Sequence, residues 1–168
     1  HSGSQLGGAR GRTLLMNSIK AVSPQFVIFN GDTVNSRNTG YQDRWTTFFD
    51  EIANPLANDG IAVFQGLGNH DAEAPDRQGK LNYHNSLWTD FYNQNSGLYT
   101  QFQNFDYSNY PYHSFDYQGK KFMIMSVPGR SIDGNQMNWL NRNIQPGSFV
   151  FGHVPVVNTK GKTCTAAE

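Results

Sequence analysis

The sequence predicts a layered α/β domain, because segments with helical periodicity alternate with short apolar runs typical of strands. Three of the four apolar runs contain no alternating polar residue, which is expected of central strands covered on both faces of a sheet. The chain has 168 residues, of which 37% are hydrophobic. This length and composition suit one globular domain with a substantial core. We therefore expect residues 1–168 to form a single domain.

Four helices are predicted from apolar residues at helical spacing. The first is ended by Ser23-Pro24, and the second starts at Asp43, a candidate N-cap, and is ended or bent by Pro55. A short third helix is predicted at 85–91 and a fourth at 134–143. The apolar positions that define the first two helices are Leu15, Ile19, Val22, Trp45, Phe48, Phe49, Ile52, Ala53 and Leu56.

The strand-like runs lie between these helices. They cover residues 26–29, 61–64, 121–125 and 149–151, and Ser-Phe-Asp-Tyr at 114–117 is also strand-like. Their alternation with helices is the pattern of a sheet flanked by helical layers.

Residues 80–112 contain ten of the 23 aromatic residues of the chain. One interpretation is a long loop that packs its own aromatic rings, and the other is a wall over a substrate pocket. We favour the loop for most of the rings. His84, which lies in this stretch, is then a surface or loop residue.

The charge balance excludes several classes of partner. Thirteen Lys and Arg residues balance thirteen Asp and Glu residues, so no strong positive field exists to recruit nucleic acid. No run approaches the roughly 20 apolar residues of a membrane span. The single cysteine, Cys164, excludes an internal disulfide.

Since the chain starts without Met, a leader could have been removed, and an extracytoplasmic location is favoured over a cytoplasmic one. The oligomeric state stays open.

Polar residues follow three of the strand-like runs in the same way. The first run is followed by Gly31 and Asp32, the second by Gly-Asn-His-Asp at 68–71, and the last by Gly152 and His153. The carboxyl ends of neighbouring strands converge on one crevice in open α/β sheets, and glycine permits the sharp turn. The sequence therefore predicts one site built from three distant segments.

The residue types at these strand ends suit metal chemistry. A carboxylate, a carboxamide oxygen and imidazoles favour two divalent transition ions such as Mn, Fe, Zn or Ni, without deciding which. Two ions about 3.5–4 Å apart can clamp a phosphoryl group and generate a hydroxide for in-line attack. His70 is a candidate general acid for the leaving group, with Asp71 tuning its pKa and orientation.

These motifs resemble those of the calcineurin-like metallophosphoesterases, relatives of the purple acid phosphatases. Gly-Asp-Thr-Val-Asn at 31–35 is similar to the family block Gly-Asp-x-x-Asp/Asn. Residues 68–71 match Gly-Asn-His-Asp/Glu, and Phe-Gly-His-Val-Pro at 151–155 is similar to the strand-end histidine block. The resemblance covers nearly the whole chain and implies a four-layer α/β/β/α sandwich with two metals at the strand ends.

The resemblance also implies a role for each matching residue. Asp32 would bridge the metals, Asn69 and His153 would bind one metal, and His1 would help to hold the other, while His70 would be the general acid. The family blocks Asp-x-His and Gly-His-x-His are incomplete here, so we expect a domain that lacks its N-terminal strand and C-terminal part.

The expected activity is hydrolysis of a phosphomonoester or phosphodiester on a small phosphorylated metabolite, nucleotide or lipid headgroup. The alternative is a non-catalytic binding domain that keeps the fold with an incomplete metal shell. Arg37 is a candidate phosphate contact, although a solvated arginine is the favoured interpretation. Asn35 is expected to hydrogen-bond locally. His113 is expected to pack in the interior, with a substrate contact as the alternative.

Overall fold

Six strands arranged in two sheets organise the part of the chain that the structure describes. The computed structural model describes residues 8–37, 39–73, 75–107, 111–128 and 132–153. The strands are β1 (Phe26–Asn30), β2 (Ala62–Gly66), β3 (Gln103–Asp106), β4 (His113–Tyr117), β5 (Lys120–Ile124) and β6 (Phe149–Phe151). The described helices are α1 (Ala9–Val22), α2 (Tyr41–Phe48), a π-helix (Phe49–Ala53), α3 (Asn54–Asn58), α4 (Arg77–Gln94), α5 (Ser96–Tyr99) and α6 (Gly134–Asn143). The predicted α/β class is confirmed.

The first sheet pairs β1 with β2 in parallel, and Phe26 lies opposite Ala62. The second sheet has the order β3-β4-β5-β6, antiparallel except for the parallel pair β5 and β6. All four predicted apolar strands and the strand-like 114–117 segment are present, whereas β3 was not predicted. Only β2 is buried along its whole length, while Phe149 and Val150 in β6 are about half exposed.

Aromatic rings fill the space between the two sheets. Phe64 from β2 stacks on Phe115 from β4, with 3.9 Å between ring centroids. Phe115 in turn stacks on Phe122 at 5.0 Å, and Phe26 from β1 meets Phe115 edge-on at 5.3 Å. These alternating strand residues face each other across the sheets and form the centre of the core.

The second predicted helix is longer than expected at both ends. Its N-cap is Gly40, and Asp43 lies in the first turn, where a carboxylate favours the helix dipole. Pro55 does not end the helix, which continues to Asn58. The Asn54 N–H, just before the proline, bonds to the carbonyl of Phe49 in a π-type hydrogen bond. Because the regular hydrogen-bond pattern is already interrupted there, the helix tolerates the missing N–H of Pro55.

Helices α4 and α5 and strand β3 occupy most of the described part of residues 80–112, so the interpretation of this stretch as a loop was wrong for most of its length. α4 runs over 18 residues and is capped by Asp76, which accepts a hydrogen bond from the Gly79 N–H. Its buried face includes Trp88, Phe91 and Tyr92. The glycine and asparagines in α4 have weak helix propensity, and burial of this aromatic face outweighs it.

His84 lies on the same face of α4 and is fully buried, contrary to the surface position that we predicted. Its ring centroid is 4.5 Å from that of Trp45 in α2. Burial lowers the pKa of His84 well below its ordinary value, because the charged imidazolium is poorly solvated there. His84 is therefore a neutral core residue.

The two sheets are joined where β2 ends. The Val127 N–H donates to the Leu67 carbonyl at 2.8 Å, and the Leu67 N–H donates to Ser126 Oγ at 2.9 Å. The Met125 N–H also bonds to the Phe151 carbonyl at 2.8 Å. These bonds hold the carboxyl ends of β2, β5 and β6 beside one another. Within the described residues, no helix is long and apolar enough to cross a membrane.

Replacing Phe64 with alanine should destabilise the fold by about 3–5 kcal/mol, because the cavity would open between the two sheets. Urea unfolding followed by fluorescence measures this loss. Leu14→Ala is the matched control, since Leu14 is 58% exposed and should change stability by at most about 0.5 kcal/mol. Equal losses in the two variants would show that Phe64 is not central to the core.

Candidate metal and phosphoester site

Three backbone segments meet at the carboxyl end of β1. A Cβ atom on Gly31 would lie 2.5 Å from the Gly68 nitrogen and 2.9 Å from Cγ of His153. A Cβ on Gly68 would lie 2.3 Å from Oδ1 of Asp32. Both glycines therefore permit an approach that no other residue allows, and Gly31 also has φ +85°. The structure brings together the segments that carry Asp32, Asn69 and His153.

Asp32 presents one carboxylate oxygen to this junction and anchors the other. Its backbone is left-handed, with φ +54°, and its Oδ1 accepts the His70 backbone N–H at 2.9 Å. Oδ2 lies 3.2 Å from Nε2 of His153 and 4.0 Å from Nε2 of His70. Residues 121 positions apart in the chain thus share one carboxylate oxygen.

The ring of His153 is oriented by the end of β1. Its Nδ1 lies 3.0 Å from the Asn30 carbonyl, and the Asn30 amide donates to the Gly152 carbonyl at 2.7 Å. A carbonyl only accepts, so Nδ1 carries the hydrogen and Nε2 faces Asp32. A lone pair on Nε2 would repel the carboxylate unless a cation, either a proton or a metal ion, lay between them.

The geometry of this pair fits two ligands of one metal ion. Two ligands about 2.1 Å from one ion are about 3.0–3.4 Å apart at angles of about 90–109°, and the 3.2 Å between Asp32 Oδ2 and His153 Nε2 lies in this range. The backbone carbonyl on Nδ1 is the outer partner that metal-binding histidines usually have. Across the described ranges, no group of three or more His, Cys, Asp or Glu residues could hold an ion, so these two residues are a partial shell.

Asn69 and His1 are the other predicted ligands. Asn69 is partly exposed in the turn between Gly68 and His70, both of which contact Asp32. Its amide therefore starts from backbone beside the pair. His1 lies outside the described residues.

The carboxylate of Asp71 is occupied by backbone N–H groups. It is fully buried, and its carboxylate accepts the backbone N–H groups of Asp32, Val34 and Gly68 at 2.8–2.9 Å. Burial raises the pKa of Asp71 to about 7, and the three N–H groups oppose this rise by favouring the carboxylate. Asp71 therefore shapes the turns after β1 and β2. Its described hydrogen bonds do not include the His70 ring, and a tuning role toward His70 stays a prediction.

The carboxylate beside the imidazole of His70 belongs to Glu73, which the sequence analysis missed. Its Oε1 lies 3.0 Å from Nδ1 of His70 and 3.2 Å from Nη2 of Arg37. The signal available in the sequence was an acidic residue three positions after His70 in a tight turn. Arg37 is 62% exposed at its side chain and donates a hydrogen bond to Glu73. Asn35 hydrogen-bonds locally as predicted, because its Oδ1 accepts the Arg37 N–H at 3.0 Å.

His113 lies in β4 and is fully buried, with the rings of Phe64, Tyr92 and Phe105 around it. Burial lowers the pKa of His113 to about 3. The packing interpretation is confirmed, since no surface of the side chain reaches solvent.

The sequence model of one family, described as calcineurin-like phosphoesterase, matches residues 5–167. The match includes all three strand-end segments. No curated protein and no solved structure matches the chain.

Asp71→Asn should destabilise the protein by about 2–4 kcal/mol, because an amide NH₂ would face backbone N–H groups that lose a charged acceptor. Urea unfolding at pH 8.5, above the pKa of Asp71, measures the change. Asp59→Asn is the matched control: Asp59 pairs with Lys20 on the surface, and its loss should cost at most about 1 kcal/mol. Wild-type stability in Asp71→Asn would refute the role given to this carboxylate.

The buried neutral His113 should make stability fall as the pH falls. Between pH 6 and 4.5 the unfolded state binds a proton at an ordinary histidine while the folded state does not, so stability declines. The slope of unfolding free energy against pH across this range should be about 1 kcal/mol per pH unit smaller in His113→Leu than in the wild type. An unchanged slope would mean that His113 is protonated in the folded protein.

Proposed function

The chain belongs to the calcineurin-like phosphoesterase family, and from this premise we propose that it hydrolyses a phosphomonoester or phosphodiester at a centre of two divalent metal ions. Phosphoester hydrolysis is the general activity of the family. The observation that carries the proposal is the 3.2 Å approach of His153 Nε2 to Asp32 Oδ2 at the junction of three strand ends. A proton on Nε2 or a metal ion between the two atoms would satisfy this approach, and transition metals prefer these donors.

The residues that would hold the metal follow from the site. Asp32 Oδ2, the Asn69 amide oxygen and His153 Nε2 would bind one ion, and Asp32 would also reach the second ion, for which His1 is a candidate ligand. Bound ions would polarise the phosphoryl group and lower the pKa of an attacking water molecule. The chain holds Asp32 ready by anchoring Oδ1 on the His70 N–H.

His70 is the proposed proton donor. Its Nε2 lies 4.0 Å from Asp32 Oδ2 and points to the same junction, while Nδ1 faces Glu73. The side chain is about a quarter exposed, so a substrate can reach it. A protonated His70 would deliver the Nε2 proton to the leaving oxygen, which avoids release of a free alkoxide.

The substrate class is a small phosphorylated compound such as a metabolite, a nucleotide or a lipid headgroup. The equal numbers of basic and acidic residues give no electrostatic reason to bind a long nucleic acid. A monoester and a diester differ by one negative charge and one ester group. Measured turnover of each shows which of them the protein hydrolyses.

The experiment combines metal binding with turnover. The full chain is loaded with Mn, Fe, Zn or Ni in turn, its metal content is measured, and hydrolysis of p-nitrophenyl phosphate and of bis(p-nitrophenyl) phosphate is followed. Asp32→Asn and His153→Asn should each reduce metal affinity by at least tenfold. His70→Asn should retain the metal and lose about 100-fold or more in kcat.

Asp50→Asn is the matched control for Asp32→Asn, because Asp50 is an exposed aspartate in the π-helix, and it should leave both readouts unchanged. Full metal content in Asp32→Asn would remove the proposed centre. Undiminished turnover in His70→Asn would remove the proposed acid. A wild-type chain that neither binds metal nor hydrolyses either ester would favour the non-catalytic binding domain.

A further inference from the structure

The carboxylate of Glu73 lies between the imidazole of His70 and the guanidinium of Arg37. Its Oε1 lies 3.0 Å from His70 Nδ1 on one side and accepts a hydrogen bond from Arg37 Nη2 at 3.2 Å on the other. The Glu73 side chain is only 12% exposed, whereas that of Arg37 is 62% exposed. The three side chains therefore form a row from the surface to the imidazole.

The backbone of Glu73 is held from both directions. Its N–H donates to Ser36 Oγ at 2.7 Å, in the loop after β1. Its carbonyl accepts Lys80 Nζ at 2.7 Å, from a lysine that is only 6% exposed on α4. The Ser36 N–H in turn donates to the His70 carbonyl at 2.8 Å. These bonds hold the backbone of the turn at His70 and at Glu73, the two residues whose side chains approach each other.

Glu73 is the carboxylate available to His70, because the other acids nearby are committed. All three hydrogen bonds described for Asp71 come from backbone N–H groups. Asp32 directs Oδ2 to His153 and approaches His70 at Nε2, on the opposite side of the ring from Nδ1. Nδ1 of His70 and Oε2 of Glu73 are both buried with no hydrogen-bond partner among the described residues, so the 3.0 Å approach of Oε1 to Nδ1 is close but is not aligned as a hydrogen bond. A small rotation of the carboxylate or of the ring pairs these two unsatisfied groups.

We propose that Glu73 is a positioning residue that keeps a hydrogen on His70 Nδ1 and thereby directs Nε2 to the reacting phosphoester, with Arg37 holding Glu73 in place. The inference rests on the proposed function for its catalytic consequence, although the Nδ1–H preference belongs to the folded chain itself. A fixed Nδ1–H leaves Nε2 as the nitrogen that gains and loses the transferred proton. Glu73 orients the ring without touching the substrate.

The first test reads the tautomer of His70 directly. Long-range ¹H–¹⁵N correlation spectra of the metal-free chain, recorded at a pH where the ring is neutral, show which nitrogen carries the hydrogen. The signal is assigned by its disappearance in His70→Gln. We expect Nδ1–H in the wild type and in Glu73→Gln, whose amide oxygen can still accept, and a shift to Nε2–H in Glu73→Ala. Nε2–H in the wild type, or no change in Glu73→Ala, would overturn the inference.

The second test asks for the kinetic signature of a misplaced acid. With metal bound, Glu73→Ala should lower kcat for phenyl phosphate by about 10–100-fold. For 2,4-dinitrophenyl phosphate, whose leaving group needs no proton, it should lower kcat less than about threefold. KM and metal content should stay unchanged, and Glu73→Gln should recover part of the loss. An equal loss on both substrates, or loss of the metal, would contradict positioning.

Glu51→Gln provides the matched control. Glu51 also forms a carboxylate–arginine pair, with Arg12, but it lies on the π-helix and has no described contact with the site residues. It should change neither the His70 tautomer nor the leaving-group dependence. The tautomer result does not need turnover, so absence of hydrolysis by the wild type would remove the proposed function and leave the tautomer test of Glu73 decisive.

Discussion

The ends of three strands approach one another with no space left for side chains between them, and the candidate site depends on this contact. Gly31 faces the backbone of Gly68 and the ring of His153, and Gly68 faces the carboxylate of Asp32, all at distances that exclude a Cβ atom. Backbone packed against backbone has few alternative arrangements. Asp32 and His153 are therefore held at a separation suited to a shared cation by the rigid part of the fold, and a flexible loop is not required to close on them.

Three acidic residues near this contact have separate tasks that their surroundings determine. Asp32 leaves one oxygen facing the imidazole of His153. Asp71 points inward, where backbone N–H groups surround it and no cation is needed. Glu73 lies between Arg37 and His70. Identical carboxylate chemistry thus serves as candidate ligand, turn former and imidazole partner, because burial and the neighbouring donors differ at each position.

The aromatic core supplies the stiffness that the site requires. Phe64, immediately upstream of the β2 end, stacks against the second sheet at 3.9 Å, and α4 adds Trp88, Phe91 and Tyr92 to the same core. The hydroxyl of Tyr99 donates to the Val63 carbonyl at 2.8 Å and so covers the free edge of β2. β2, the strand that precedes Asn69 and His70, is thus held on its face and at its edge.

The sequence by itself determined the α/β class, the main strands and the three strand-end segments, because apolar runs and glycine turns are local patterns. It did not reveal the length of α4, whose weak local propensity is outweighed by burial of its aromatic face, nor β3. The tasks of Asp71, His84 and Glu73 were decided only by the tertiary structure. Asp71 finds its donors up to 39 residues away, and the loop of Glu73 is tied to Ser36, 37 residues earlier. The direction in which a carboxylate or an imidazole turns depends on the donors, charges and rings that folding brings to it, and no local pattern records those neighbours.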